Sequence, residues 1–300
     1  MTTPRPTHDQ GSGGEAVASQ GGRAGSGGGF SLAHLTVLGT SPVELVQIAA
    51  AAGYDYASIR TTAVAPGEVV APLAGDPVMV RRVRRRLADT GLRVLDVELV
   101  RLGPDDEPEP YRALLDAAAQ VGARHVIAQL PDPDRARAAD RLGRLCDLAA
   151  DVGLTVDLEF PSWTETADLA AAAAIVADAD RPNAGVLVDA LHFFRSGSSL
   201  DALGDLPRDW FRFAQLCDAP ADPPPDVAGL VHAARSARSL PGYGELPLDA
   251  LVGRLPTVPY SLEVPNDVLR RELGTARFAR LVLRLARDVV ANHGRRALAC

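Results

Sequence analysis

The stretch LTVDLEFPSWTETADLAAAAAIVADADRPNAGVLVDALH, residues 154–192, contains one complete repeat of the pattern on which the fold depends. An apolar run (154–160) leads to an alanine-rich segment of helical period (165–179), and a second apolar run (183–191) follows. This order predicts a strand, a helix and a parallel strand. Each apolar run ends in acidic residues, Asp157 and Glu159 in the first and Asp189 in the second.

Working outward from this stretch, we count eight strand–helix units. Eight parallel strands close into a (β/α)₈ TIM barrel, whereas an open doubly wound sheet would be expected to carry a GxGxxG turn after its first strand, which is absent. We assign residues 30–293 to the barrel, 1–29 to a disordered tail rich in Gly and Ser, and 294–300 to a C-terminal tail. The predicted strands cover 31–38, 54–60, 93–99, 123–130, 154–160, 183–191, 211–217 and 258–264. The last helix is expected near 267–292.

Composition excludes several classes of protein. The net charge is −7, which argues against a nucleic-acid partner. All 31 basic residues are arginines, so chemistry that needs a lysine amine is excluded. Three widely spaced cysteines predict a reducing, cytoplasmic location. No apolar run is long enough to cross a membrane, and the N-terminus lacks the pattern of a secretion signal.

Four consecutive strands, the fifth to the eighth, end in oxygen-bearing side chains. Alternation places Asp157 and Glu159 on one face of strand five, with Glu159 nearer the rim. The active sites of such barrels lie at the C-terminal ends of the strands, so these side chains should converge. Three carboxylates and an amide form a hard-oxygen set that suits Mn²⁺ or Mg²⁺. The candidate metal ligands are Glu159, Asp189, Gln215 and Glu263.

These residues, with the segments DALH (189–192), QLCD (215–218), PGYGELPL (241–248) and SLEVP (261–265), resemble the sugar phosphate isomerase/epimerase family of xylose-isomerase-like barrels. In that family, Glu, Asp, His and Glu on strands five to eight bind the metal. The same positions here are the four candidate ligands, with Gln215 in place of the usual His. In that respect the chain resembles the 3-dehydroshikimate dehydratases.

The resemblance implies that a small sugar-like or cyclic hydroxyketone is isomerised or epimerised by proton transfer through a metal-stabilised enediolate. Glu159 and Glu263 would act as general base and acid on opposite sides of the reacting carbon. His192, Arg60, Glu98 and Arg238 are candidate substrate-binding residues. His34, Gln129, Arg195 and Arg235 are further candidates. Barrels of this type often pair, so a homodimer is a candidate assembly.

Three alternatives stay open. A dehydratase would begin with the same proton abstraction and then expel a β-hydroxyl, and Gln215 motivates this lyase. A nuclease of the endonuclease IV type would need a His-rich multi-zinc site and a basic face, which six histidines and the acidic charge do not favour. A non-catalytic sugar-binding barrel would not need Glu159 and Glu263 together.

Overall fold

A computed structural model describes Met1 and residues 28–64 and 68–297. Eight parallel strands pair in chain order, and the first pairs with the last, so the predicted closed barrel is confirmed. The strands are β1 Phe30–Ala33, β2 Tyr56–Arg60, β3 Arg93–Arg101, β4 His125–Gln129, β5 Thr155–Glu159, β6 Ala184–Asp189, β7 Ala214–Leu216 and β8 Tyr260–Leu262.

Eleven α-helices surround the barrel within the described ranges. They are α1 Pro42–Ala52, α2 Pro77–Thr90, α3 Arg112–Gln120, α4 Arg135–Ala150, α5 Leu169–Ala179, α6 Ala190–Arg195, α7 Leu200–Asp205, α8 Val227–Ser236, α9 Leu248–Arg254, α10 Asp267–Leu273 and α11 Thr275–Ala297. In that part of the chain, no helix combines the length and the apolar character that a membrane span requires.

Local side-chain chemistry fixes where these elements begin. Ser41 caps α1 through a capping box with Glu44, and Asp168 caps α5 by accepting a hydrogen bond from the Ala171 N–H. The helices pack small and branched side chains against the outside of the strands. A second apolar group comes from residues in or next to five strands and fills the inside of the barrel: Tyr56, Leu95, Leu99, Ile127, Leu187 and Phe213.

Several predicted boundaries were wrong. The first strand ends at Ala33 because the chain then turns, held by hydrogen bonds from the Thr36 hydroxyl to the Leu262 carbonyl and from the Val264 N–H to that hydroxyl. The predicted helix near 267–292 is two helices, since Gly274 adopts a φ of 77° between them.

The predicted tails meet the described residues only at their inner ends. At the N-terminal side, the Gly29 carbonyl accepts a hydrogen bond from the Tyr260 N–H, while residues 2–27 of the predicted tail lie outside the described residues. At the other end α11 continues to Ala297, so the first four residues of the predicted C-terminal tail are helical. Residues 298–300 lie outside the described residues.

Candidate active site

A cleft opens at the C-terminal end of the barrel. Three of the predicted metal ligands line it together with all four predicted substrate-binding residues. These seven are Arg60, Glu98, Glu159, His192, Gln215, Arg238 and Glu263. Asp189, the fourth predicted ligand, is fully buried beside them. The convergence expected from the strand ends is therefore present.

Strand register positions the acidic residues. Glu159 and Asp189 are the last residues of β5 and β6, Gln215 lies opposite Asp189 in β7, and Glu263 directly follows β8. Asp189 also caps α6, because its Oδ1 accepts a hydrogen bond of 3.1 Å from the His192 N–H. One carboxylate therefore both begins a helix and faces the site.

The structure adds His192 to the possible metal ligands. Glu159, Asp189 and His192 each offer one ligand atom, and these atoms all lie within 4.8 Å of one another. Burial lowers the pKa of His192 to about 4, so its ring is neutral at physiological pH and has a lone pair available. The sequence alone predicts only a substrate-binding role for this residue.

Burial and neighbouring charges shift the pKa values of the three carboxyls, Glu159, Asp189 and Glu263. Burial, followed by the charges of Glu263 and Asp189, raises the pKa of Glu159 to about 8. Burial also raises the pKa of Glu263. For Asp189 burial acts in the same direction, but Arg238 and His192 outweigh it and lower the pKa. Glu159 can therefore take up or release a proton near neutral pH, and Glu263 holds a proton more tightly than an ordinary glutamate does.

Arg238 is the counter-ion of this cluster. Its guanidinium is 2.6 Å from Asp189 Oδ2 and 2.5 Å from Glu263 Oε2, and it also contacts Cys217 Sγ at 3.2 Å. The Arg238 Nε donates to the Ala234 carbonyl, which fixes the side chain to α8. The side chain is 2% exposed. A predicted substrate-binding residue thus also neutralises two predicted metal ligands.

Several buried polar atoms at the site have no partner among the described residues. These atoms are Gln215 Oε1, His192 Nδ1 and Glu98 Oε1. Buried polar groups normally have a partner, so these atoms, beside carboxylates that repel one another, are available to bind a ligand. An amide oxygen, an imidazole nitrogen and carboxylates are all donors that a divalent cation accepts. The residues present therefore fit a single bound cation.

A second network lines the opposite wall of the cleft. Arg60 pairs with Glu98 at 3.0 Å and with Glu68 at 2.5 Å. Burial, followed by the charge of Glu263, raises the pKa of Glu98 to about 8. Glu68 was missed because no strand-end pattern marks it.

The cleft is also lined by residues that the sequence did not indicate, and by two of the further candidates that it did. Arg101 lies in the cleft because β3 continues two residues beyond its predicted end. Trp163 packs edge-on against His192, with 4.9 Å between the two ring centroids. Only its place in the loop after strand five could have indicated that it lines the cleft. Gln129 donates a hydrogen bond of 2.5 Å to Glu159 Oε2 and so orients that carboxylate. Arg235 also lines the cleft.

Two candidates have no place in the cleft lining. His34 lies outside β1, and both of its ring nitrogens are engaged, one with the Thr40 carbonyl and the other with the Arg60 N–H. Arg195 donates to the carbonyls of Pro220 and Ala221 and therefore holds a loop.

Comparison with known proteins identifies the same architecture. The family model described as xylose isomerase-like TIM barrel matches residues 46–284. A 3-dehydroshikimate dehydratase from Pseudomonas aeruginosa is 30% identical over 263 residues, which cover 80% of this chain and 38% of that protein. An inosose isomerase from Bacillus licheniformis is 25% identical over 174 residues, covering 55% of this chain and 60% of that protein. The chain thus spans well under half of the matched dehydratase.

Among solved structures, the IolI protein with a bound zinc atom superposes with a TM-score of 0.75. The match covers 88% of this chain and 99% of IolI at 19% identity, which shows a shared fold.

Proposed function

The chain belongs to the xylose isomerase-like TIM-barrel family, and from this we propose that it is a divalent-metal-dependent isomerase or epimerase of a small sugar-like or cyclic hydroxyketone. The observation that carries the proposal is the presence of Glu159 and Glu263 on one cleft, two buried carboxyls whose pKa values are both raised, that of Glu159 by burial and then by the charge of Glu263. Such tuning is typical of residues that exchange protons with a substrate.

In this proposal the cation is held by Glu159, Asp189, Gln215 and Glu263, with His192 as an additional donor. When bound, the ion would act as a Lewis acid that polarises the substrate carbonyl. The oxygen-rich set favours Mn²⁺ or Mg²⁺, while the nearby imidazole and the zinc in IolI make Zn²⁺ a further candidate.

Proton transfer would be carried by two side chains. One of Glu159 and Glu263 takes the proton from the carbon next to the carbonyl, and the other returns a proton to the opposite face. Gln129 orients Glu159 by donating a hydrogen bond to one of its two carboxylate oxygens. Arg60, Glu98, His192 and Arg238 would bind substrate oxygens. The assembly as a homodimer stays a prediction.

A lyase is the second candidate, and two observations favour it. Gln215 stands where many family members have His, and the matched dehydratase from Pseudomonas aeruginosa is 30% identical. The lyase reaction would start with the same proton abstraction. The electron pair of the broken C–H bond would then form a C=C bond as the β-hydroxyl leaves with a proton as water.

The experiment incubates Mn²⁺-loaded protein in D₂O with 3-dehydroshikimate and with a panel of ketoses and inososes. Isomerase or epimerase activity predicts deuterium at the carbon next to the carbonyl together with an isomeric product. Lyase activity predicts release of water and the ultraviolet absorbance of an aromatic product. The absence of both exchange and product across the panel would refute the proposed chemistry.

A further inference from the structure

Four arginines surround the cleft, and they fall into two pairs. Arg60 and Arg238 each form ion pairs with two carboxylates. Arg101, the last residue of β3, and Arg235, in the last turn of α8, line the same cleft but form no ion pair with any carboxylate in the described ranges. Two of the four charges are therefore available to a ligand.

The hydrogen bonds of Arg101 and Arg235 are weak. Arg101 Nη1 lies 3.5 Å from Gln129 Oε1, and Arg235 Nη2 lies 3.4 Å from the Val64 carbonyl. Both distances are long for charged donors, which reach about 2.7–2.9 Å with carboxylates. Neither contact neutralises the charge, because both acceptors are neutral.

Arg101 and Arg235 also lie close enough to other positive charges of the cleft for those charges to repel one another. Partial burial, followed by the charge of Arg60, lowers the pKa of Arg235; Arg101 acts in the same direction, while Glu68 and Glu263 offset part of the effect. Arg101 and Arg235 thus add positive charge to the same cleft that Glu159 and Glu263 line. Holding like charges together in a partly dry site is unfavourable, and an anionic group between them would relieve the repulsion.

We propose that Arg101 and Arg235 form an oxyanion subsite that binds a carboxylate or phosphate group of the substrate. The guanidinium fork suits both groups, since each presents two oxygens in a plane. The inference rests on the proposed function, in which Glu159 and Glu263 exchange protons with the hydroxyketone end of the same substrate. It narrows the substrate class to acidic hydroxyketones and makes Arg101 and Arg235 specificity-determining residues.

The test measures binding by isothermal titration of the full chain, so it does not depend on turnover. Two matched pairs of probes are used: shikimate with its methyl ester, and fructose 6-phosphate with fructose. The variants are R101Q, R235Q and R101Q/R235Q. The control is R84Q, because Arg84 is exposed on α2 away from the cleft.

In at least one pair, we expect the dissociation constant of the anionic probe to be lower than that of its neutral partner by about tenfold or more. A charge-assisted hydrogen bond would give a difference of this size. The pair that discriminates identifies the anion as carboxylate or phosphate. Discrimination should fall about threefold in each single variant, vanish in the double variant and persist in R84Q.

Equal affinity within both pairs, no measurable binding of any probe, or unchanged discrimination in folded R101Q and R235Q would overturn the subsite. The wild-type comparison decides even if the double variant does not fold. Shikimate has no ketone, so its arginine-dependent binding without turnover of any hydroxyketone would refute the proposed reaction and leave the subsite standing.

Discussion

Asp157 and Glu159 lie two residues apart on β5, and both are almost fully buried, yet their surroundings are opposite. Toward the N-terminal end of the barrel, Asp157 accepts hydrogen bonds from Arg212 at 3.1 Å and Thr155 at 2.9 Å, and it lies 3.5 Å from His125. At the rim, Glu159 has the Gln129 amide as its hydrogen-bond partner and faces other carboxyls.

The comparison separates two uses of a buried acid. A carboxylate whose oxygens are all paired is costly to disturb, since removing its partners would leave an uncompensated buried charge. A carboxyl that repels its neighbours weakens the fold and is kept because it has a chemical task. The four predictions that follow test this division, from the largest expected effect to the smallest.

Replacing Glu159 by Gln should remove most proton transfer. We expect the rate of deuterium uptake into a turned-over hydroxyketone to fall by roughly 10²- to 10⁴-fold, as for loss of a general acid–base group. The free energy of unfolding should stay the same or increase, because the substitution removes a buried carboxyl that neighbouring charges repel whenever it ionises. Proton NMR and urea unfolding measure the two quantities. An E159Q protein that exchanges at the wild-type rate would remove Glu159 from the chemistry.

Replacing Arg238 by Met should destabilise the metal-free protein by about 3–5 kcal/mol, because Asp189 and Glu263 lose a buried counter-ion. Excess Mn²⁺ should restore much of the loss, since a cation can replace the guanidinium charge. Urea unfolding with EDTA or with Mn²⁺ measures both effects. The control is R254M, which breaks the exposed pair with Asp201 and should cost at most about 1 kcal/mol. Equal stability of R238M and R254M would contradict the account.

Replacing Asp157 by Asn should lower the stability of the fold and leave proton transfer unchanged, the opposite of the effects expected for E159Q. We expect a loss of about 1–3 kcal/mol in the free energy of unfolding, because Arg212 loses its charged acceptor. The exchange rate of the folded protein should remain at the wild-type level. If D157N instead lost exchange and kept its stability, the division between the two ends of β5 would be wrong.

Asp96 is an intermediate case, with Oδ1 accepting from the Ser58 hydroxyl and Oδ2 unpaired. Burial raises its pKa from 3.8 to about 8. The folded protein therefore keeps a proton that the unfolded chain releases, so stability should decline as pH rises from about 4 to 8, by roughly 1 kcal/mol per pH unit. D96N should lack this contribution. Urea unfolding of both proteins from pH 5 to 8 checks it, and parallel pH profiles would contradict it.

Much of this division could be predicted from the sequence. Alternation placed Asp157 and Glu159 on one face, and the polar ends of four strands located the cleft, because both signals act over a few residues. Strand ends could not reveal that Arg238 bridges Asp189 and Glu263, since that contact joins positions 49 and 25 residues apart. Arg101 was missed because the apolar run that precedes it gives no sign of where β3 stops.

The metal ligands are the central claim, and their direct test is calorimetric titration of Mn²⁺ into chelator-stripped protein. We predict one site per chain, lost in E159Q/D189N and retained in D157N with wild-type affinity. Binding that survives in E159Q/D189N, or no binding by the wild type to Mn²⁺, Mg²⁺ or Zn²⁺, would contradict the assignment of the rim carboxylates to a cation.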